Sequence, residues 1–267
     1  MRYIVDHDYH IHSRLSTCSR DEEQNPERIL KYALDHDFKR VAVTDHFWDA
    51  NIPGASDWYK PQNFEWISKN LPLPRAEGVE FLFGAETEMD KDGNIGISRS
   101  CIDKLDFLIV PTTHLNNVGF GISEELAKTP EGRAETWFSK FNALLSKDLP
   151  FHKIGAAHLA CSLIAKDREI YLRTLELLSE DELRKSFKRA ADIGIGIELN
   201  SFDMSFKENE AMTVLRIFEI AKSQGCKFYL GSDAHHPKAL DSAKAIFERA
   251  VDYLELKESD KFYIKNN

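Results

Sequence analysis

Seven short apolar runs recur along this chain, separated by longer amphipathic stretches. The runs are YIV near Tyr3, RVAVT at 40–44, EFLFGAE at 80–86, DFLIVPT at 106–112, KIGAA at 153–157, GIGIEL at 194–199 and KFYLGS at 227–232. Each is apolar at odd and even positions alike, which suits strands covered by helices on both faces. Between them, NPERILKYALDHDF places Pro26 near a helix start and Ile29, Leu30, Ala33 and Leu34 on one face. SEDELRKSFKRAADIG opens on Ser179 as a candidate cap and stops near Gly194. NEAMTVLRIFEIAKSQG ends at Gly225, where a glycine just past a helix belongs, and 239–253 reads as a further helix. The count predicts an α/β chain of about seven βα units, a distorted TIM-like (β/α)7 barrel in one domain over 1–267. An open doubly wound sheet is the alternative, because periodicity does not separate the two.

Ligand-type residues follow nearly every proposed strand. His10 and His12, in DYHIHS, follow the first; Asp45 and His46, in TDH, the second; and Glu86, in GAETEM, ends the third. His114, in PTTHLNN, follows the fourth, His158 the fifth, Asn200 the sixth, and Asp233 and His235, in GSDAHH, the seventh. In a barrel those strand ends converge on one mouth, so residues distant in sequence share a cavity. Residues at i and i+2 of an extended segment point the same way, so His10 and His12 can clasp one ion. Imidazole and carboxylate together suit Zn, Mn or Fe, whereas an all-oxygen set would suit Mg or Ca. The set exceeds the needs of one ion, which points to a cluster of two or three. Such clusters favour phosphoryl transfer, because they generate a hydroxide, bind phosphate oxygens and offset charge.

Isolated histidines take the bland reading of core or surface residues: His36 within a helix, His152 before a strand, and His7 and His236 beside the cluster. Asp8 is expected to orient a ligand imidazole, and Asp45 to hold His46 or donate a proton. GIGIEL lacks the full dinucleotide fingerprint. The aromatic, turn-rich segment NIPGASDWYKPQNFEW reads as either a lid over the mouth or a packed loop.

Composition narrows the partners. Among 267 residues, 35 Lys and Arg against 44 Asp and Glu give a net charge of −9. That balance speaks against nucleic acid as a partner, and allows a small phosphorylated substrate if bound cations supply positive charge. The four cysteines (Cys18, Cys101, Cys161 and Cys226) are scattered and form no CxxC pair, so they read as reduced thiols. MRYIVDHDYH has no apolar signal-peptide core and no run reaches membrane-span length, so a cytoplasmic protein with no membrane partner is expected. Nothing in the sequence fixes an oligomeric state.

Taken in order, DYHIHS, TDH, the Glu of GAETE, PTTH, GAAH and GSDAH resemble the PHP (polymerase and histidinol phosphatase) family across nearly the whole chain. The length, and the long segment between TDH and GAETE, are most similar to monofunctional histidinol-phosphate phosphatases. The resemblance implies a multinuclear site of two or three divalent ions, Zn, Mn or Fe. His10, His12, Glu86 and Asp233 resemble the ligands of one ion, and Glu86 would bridge to a second held by His114 and His158. His46 and His235 resemble ligands of a third ion. At the first-loop position, where relatives carry His, this chain has Cys18, and a thiolate also binds Zn or Fe.

The function implied is hydrolysis of a phosphomonoester by a metal-bound hydroxide, with L-histidinol phosphate the closest substrate by likeness. Asp45, His46 or His235 would protonate the leaving oxygen. Arg14, Lys166, Arg168 and Lys207, with Arg20, are the candidate phosphate-binding cations. The rival readings are a PHP-type enzyme acting on another small phosphorylated metabolite or nucleotide, an amidohydrolase-type barrel that also opens with HxH, and a non-catalytic metal-binding module.

Overall fold

The structure is a computed structural model that describes residues 1–264. In chain order its elements are β1 (His7–Ile11), α1 (Pro26–Asp35), β2 (Arg40–Val43), β3 (His46–Phe47), α2 (Phe64–Ile67), β4 (Glu80–Thr87), α3 (Arg99–Ile102) and β5 (Phe107–Pro111). There follow α4 (Pro130–Leu145), β6 (Ile154–Ala157), α5 (Arg168–Leu177), α6 (Glu180–Ile193), β7 (Gly196–Asn200), α7 (Ala211–Ser223), β8 (Lys227–Gly231) and α8 (Pro237–Tyr253).

The strands pair in parallel in the order β1-β2-β4-β5-β6-β7-β8, with the two-residue β3 against β4. Parallel neighbours need a crossover, and right-handed crossovers roll such a sheet toward closure. Closure comes from β1 meeting the end of β8: the amides of Asp233 and His12 donate to the carbonyls of His10 and Ala234 at 2.7 and 3.1 Å. The result is the expected distorted (β/α)7 barrel.

Two apolar layers follow. Tyr9, Ala42, Leu82, Phe107, Ile109 and Tyr229 fill the barrel interior, closed below by Phe262 and Ile264. The larger core lies between the outward strand residues, such as Ile11 and Val43, and the helices. Burying a Leu, Ile or Phe side chain stabilises by roughly 1.5–3 kcal/mol, so the large outer layer holds the barrel's shape. Helix ends follow local chemistry. Asn25 caps α1 by accepting from the Arg28 amide, ahead of Pro26. Gly194 and Gly225, at φ +77° and +86°, take the left-handed turns that end α6 and α7.

Two local expectations need correction. The first strand is not YIV but HDYHI. The segment before it runs under the barrel, where the Tyr3 hydroxyl donates to the Phe228 carbonyl. Its histidines hide it from an apolar-run reading, because at this end the inward positions carry ligand-type side chains. Ser179 occupies the cap position of α6, but its side chain accepts no amide hydrogen bond; Glu180, Asp181 and Glu182 supply the favourable charge in the first turn instead.

Candidate metal centre

A β-bulge in β1 re-aims its side chains. Asp8 pairs with Val41 and Ile11 with Val43, so an extra residue intervenes. Tyr9 packs inside the barrel and Ile11 outside. His10 and His12 therefore both face the axis, with their Nε2 atoms 3.1 Å apart. On β4, Leu82 in the interior core and Glu86 share a face, which brings the Glu86 carboxylate to the barrel axis above the core.

Around Glu86 the candidate ligands gather. Its Oε2 lies 3.6 Å from His10 Nε2, 3.4 Å from His12 Nε2 and 2.7 Å from His46 Nδ1, and its Oε1 lies 3.3 Å from His158 Nε2. Asp233 Oδ1 lies 3.0 Å from His12 Nε2, and its Oδ2 lies 3.6 Å from His158 Nε2. Three overlapping groups have the compactness of a metal site: His10, His12 and Glu86; Glu86, His114 and His158; and His12, His46 and His235. Cys18 faces His235 and His46. His158 and Asp233 both hold positive φ, +62° and +54°, strained backbone that the surrounding packing must enforce.

Most of the imidazoles are fixed from behind through Nδ1. His10 Nδ1 donates to Glu198 Oε1 at 2.6 Å, His114 Nδ1 to Glu88 Oε2 at 2.6 Å, and His235 Nδ1 to the Asp233 carbonyl at 2.8 Å. His12 Nδ1 lies 2.8 Å from Ser16 Oγ, whose own proton goes to Asp45 Oδ1 at 2.6 Å, so Ser16 accepts from His12. Each of these four rings thus turns its Nε2 forward, the atom that a metal takes once any proton on it has left. In the middle, both oxygens of the fully buried Glu86 accept no hydrogen bond. A buried carboxylate without donors is costly unless a cation partners it. The residues present fit divalent ions.

Charge shifts follow from this crowding. Burial lowers the His10 pKa, but Glu198, Asp233 and Glu86 outweigh it and hold it well above the ordinary value. Burial opposes His46 likewise, yet Glu86 and Cys18 raise it to about 10. Burial raises Glu86, but His46 and His10 pull it well below the usual carboxylate range. Burial would raise the Cys18 thiol, but hydrogen bonds to His235 and His46 bring it down to about 6.

Several residues escaped the sequence reading. Glu198, in GIGIEL, orients His10 and also accepts from the His158 amide at 3.1 Å. Glu88 orients His114, accepts from Tyr59 Oη at 3.1 Å and has the buried Lys140 ammonium 3.9 Å away. Asp203 and Cys161 stand behind His158 as a further compact group. Two signals could have found the glutamates: Glu198 lies in an apolar strand run, and Glu88 is two residues past Glu86 in GAETEM.

Other expectations shift. Asp8 touches no imidazole ring; its carboxylate accepts from the Ser232 and His10 amides and from Tyr32 Oη, fastening β1 to β8. Burial, stronger than these donors, raises its pKa to about 6. Asp45 does not hold the His46 ring. It accepts from the Ser13 amide and hydroxyl, Ser16 Oγ and Asn70 Nδ2, and so acts on His12 through Ser16. Asn200 binds Glu198 through Nδ2 at 3.2 Å.

Above the centre lies a cavity of about 590 Å³, lined on one side by Trp58 and Tyr59 and reaching Glu86, His114, His158, Asp233 and His235. The 51–66 segment thus forms a packed wall of this cavity, with Tyr59 buried against Glu88. The expected phosphate cations stand elsewhere. Arg14 pairs with Glu22 at the surface and the exposed Arg168 with the buried Glu210, and Arg20, Lys166 and Lys207 are exposed; none lines the cavity. Arg168 opens α5 and the others lie in loops, but their side chains turn to local acids or to solvent.

All four cysteines are free, and among the described residues no helix is long and apolar enough to cross a membrane.

Comparison with known proteins agrees with this architecture. Proteins named probable phosphatase from Thermoanaerobacter sp. and Thermoanaerobacter pseudethanolicus are each 28% identical over 198 residues, 73% of this chain. The chain spans 66% of the length of those relatives. A crystal structure of histidinol phosphate phosphatase from Lactococcus lactis subsp. lactis, complexed with zinc, L-histidinol and phosphate, superposes with a TM-score of 0.58. It is 17% identical and matches 92% of this chain and 93% of its own, a likeness of fold. Residues 8–267 match the family described as PHP domain, and with the strand-end histidines and acids now seen to share one barrel mouth, the chain belongs to that family.

Proposed function

We propose that this protein is a metal-dependent phosphomonoesterase acting on a small phosphorylated metabolite, with L-histidinol phosphate as the leading substrate. The observation that carries the reading is Glu86: fully buried, with neither oxygen hydrogen-bonded, and ringed by His10, His12 and His158 through Nε2 and by His46 through Nδ1. His10, His12, Glu86 and Asp233 would hold one ion, and Glu86, His114 and His158 a second. His46, His235 and Cys18 would hold a third. Bound there, Zn, Mn or Fe ions would acidify a water and offset charge on the phosphate oxygens.

The chain's own residues set the rest. Glu198, Glu88 and Ser16 fix the ring orientations before substrate arrives, so little reorganisation is needed during reaction. With two ions bound, His46 and His235 are free to deliver a proton to the leaving oxygen. With three, they and Cys18 would be ligands. The names of the relatives support phosphatase chemistry, and the ligands of the Lactococcus structure support histidinol phosphate as the substrate to test first.

The test is phosphate release by metal-loaded protein from L-histidinol phosphate, with p-nitrophenyl phosphate and nucleotides in parallel. Selective turnover of histidinol phosphate is the expected result. Turnover of another monoester alone removes the histidinol assignment and keeps the phosphatase. No turnover at full metal occupancy removes both.

A further inference from the structure

Resting on that reading, we infer that the cavity selects monoesters with one phosphate and a planar organic group, read by Trp58, and rejects substrates whose organic part carries a second anion. Three independent observations converge on this.

The first is the wall. Trp58 lines the cavity with 39% of its surface exposed, its ring meeting His46 edge-on at 4.9 Å between centroids. Tyr59 stands at right angles behind it at 4.6 Å, is itself buried, and stacks on Phe120 at 5.8 Å. The indole is thus backed by a fixed stack and offers an exposed aromatic surface beside the candidate metal centre. A planar group gains there both apolar burial and ring stacking. Leu163, 38% exposed, adds an apolar contact from the loop after β6.

The second is the charge of the lining. Among the described residues, none of those around the cavity is Lys or Arg, while Glu86, Glu88 and Asp233 all are there. Two divalent ions would be offset by Glu86, Asp233 and one phosphate dianion, Glu88 being engaged by His114 and Lys140. A second phosphate or a carboxylate would find no counter-charge and would face like-charged groups. Arg14 and Arg168, the arginines expected to bind phosphate, do not line the cavity and are paired with Glu22 and Glu210.

The third is the polar inventory. What the cavity offers besides acids and imidazoles is neutral: Asn116 and Asn117 after β5, and the buried Ser56 Oγ, which has no hydrogen-bond partner. Such groups bind neutral or cationic functions of the organic part without calling for an anion.

Three alkyl monoesters test this on the metal-loaded protein: benzyl phosphate, glycerol 3-phosphate and 3-phosphoglycerate. The expected kcat/KM order is benzyl phosphate, then glycerol 3-phosphate, then 3-phosphoglycerate, the ends differing by tenfold or more. In Trp58→Ala, KM for benzyl phosphate rises about tenfold, a stacking-sized effect, while glycerol 3-phosphate changes little. Trp58→Phe restores most of the loss, which a folding defect would not. Leu163→Arg, at an exposed rim position, raises kcat/KM for 3-phosphoglycerate relative to benzyl phosphate. Equal turnover of benzyl phosphate and 3-phosphoglycerate by the parent protein, or an unchanged ratio in Trp58→Ala, overturns the inference while leaving the phosphatase reading intact. Should none of the three be cleaved, turnover of L-histidinol phosphate decides the phosphatase reading separately, and binding of benzylphosphonate against phosphonoacetate by calorimetry decides the selectivity: tighter binding of benzylphosphonate supports it, and equal or weaker binding overturns it.

Discussion

Glu198 Oε1 accepts from His10 Nδ1 at 2.6 Å, and a Cβ built on Gly231 would fall 2.2 Å from that same oxygen. Glycine at the end of β8 is therefore what allows a β7 carboxylate to reach a β1 imidazole. Glu198→Ala frees the His10 ring and is expected to weaken metal binding about 10- to 100-fold, the usual cost of losing a partner behind a ligand. Gly231→Ala, which touches no ligand directly except by pushing Glu198 and the His10 Cβ, is expected to move affinity the same way. Chelator competition measures both; parental affinity in Gly231→Ala would mean the contact is not tight enough to matter.

The Asp45, Ser16 and His12 series makes a second case. Asp45 takes the Ser16 proton, which obliges Ser16 to accept from His12. Ser16→Ala and Asp45→Asn should each lower metal affinity, and the double variant should be no worse than the more severe single one, because they act through one ring. Strictly additive losses would show that Asp45 works by another route, such as its hydrogen bonds to Ser13 and Asn70.

Asp203 supplies a pH-dependent stability. Burial raises its pKa from 3.8 to about 7, aided by Glu198 and Asp233 and opposed by His158 and the Ala160 amide. The folded state then holds a proton that the unfolded chain has lost, so this group's contribution declines as pH rises from about 4 to about 7 and is level above that. In the metal-free protein, Asp203→Asn removes that decline and is more stable than the parent at pH 8. Thermal melts from pH 4 to pH 8 read the slope directly; identical slopes would place the titration elsewhere.

Metal uptake should release protons. In the metal-free protein the acids hold His46 up to about 10 and His10 well above its usual range, so these rings carry protons at neutral pH. Ions and protons compete for them, and apparent metal affinity rises with pH toward that range. Calorimetric titrations in two buffers of different ionisation enthalpy count the protons; a buffer-independent heat would contradict the assignment of these rings as ligands.

The sequence was readable where residue type and strand period coincide. The apolar runs at 40–44, 80–86, 106–112, 153–157, 194–199 and 227–232 each contain or border an observed strand, and the ligand-type residues beyond them meet at one mouth. It misled at β1, where HDYHI is polar in composition because His10 belongs to the site, Asp8 fastens β1 to β8 and His7 meets Asp6 and the Leu230 amide. For Glu198 and Glu88 it marks acids in or beside apolar strands but not the rings they serve, since a carboxylate behind an imidazole has no fixed spacing from it and the partners lie 188 and 26 residues apart. The cations failed for a related reason. Proximity to a strand end places Arg14 or Arg168 near the mouth, but Glu22 and Glu210 capture their side chains. Segment 51–66 could be named as aromatic from sequence alone; that it forms a wall depends on Tyr59 finding Glu88 and Phe120.

The central claim is that Glu86 joins ions which this chain uses to cleave a phosphomonoester. The direct measurement is metal content alongside phosphate release from L-histidinol phosphate and p-nitrophenyl phosphate, for chelator-stripped protein reloaded stepwise with Mn or Zn, parent beside Glu86→Gln. Activity that climbs with occupancy to a plateau above one ion per chain, together with a folded Glu86→Gln that holds fewer ions and releases no phosphate, is the predicted result. A Glu86→Gln protein with parental metal content and parental turnover, or a fully loaded parent that cleaves neither ester, would contradict it.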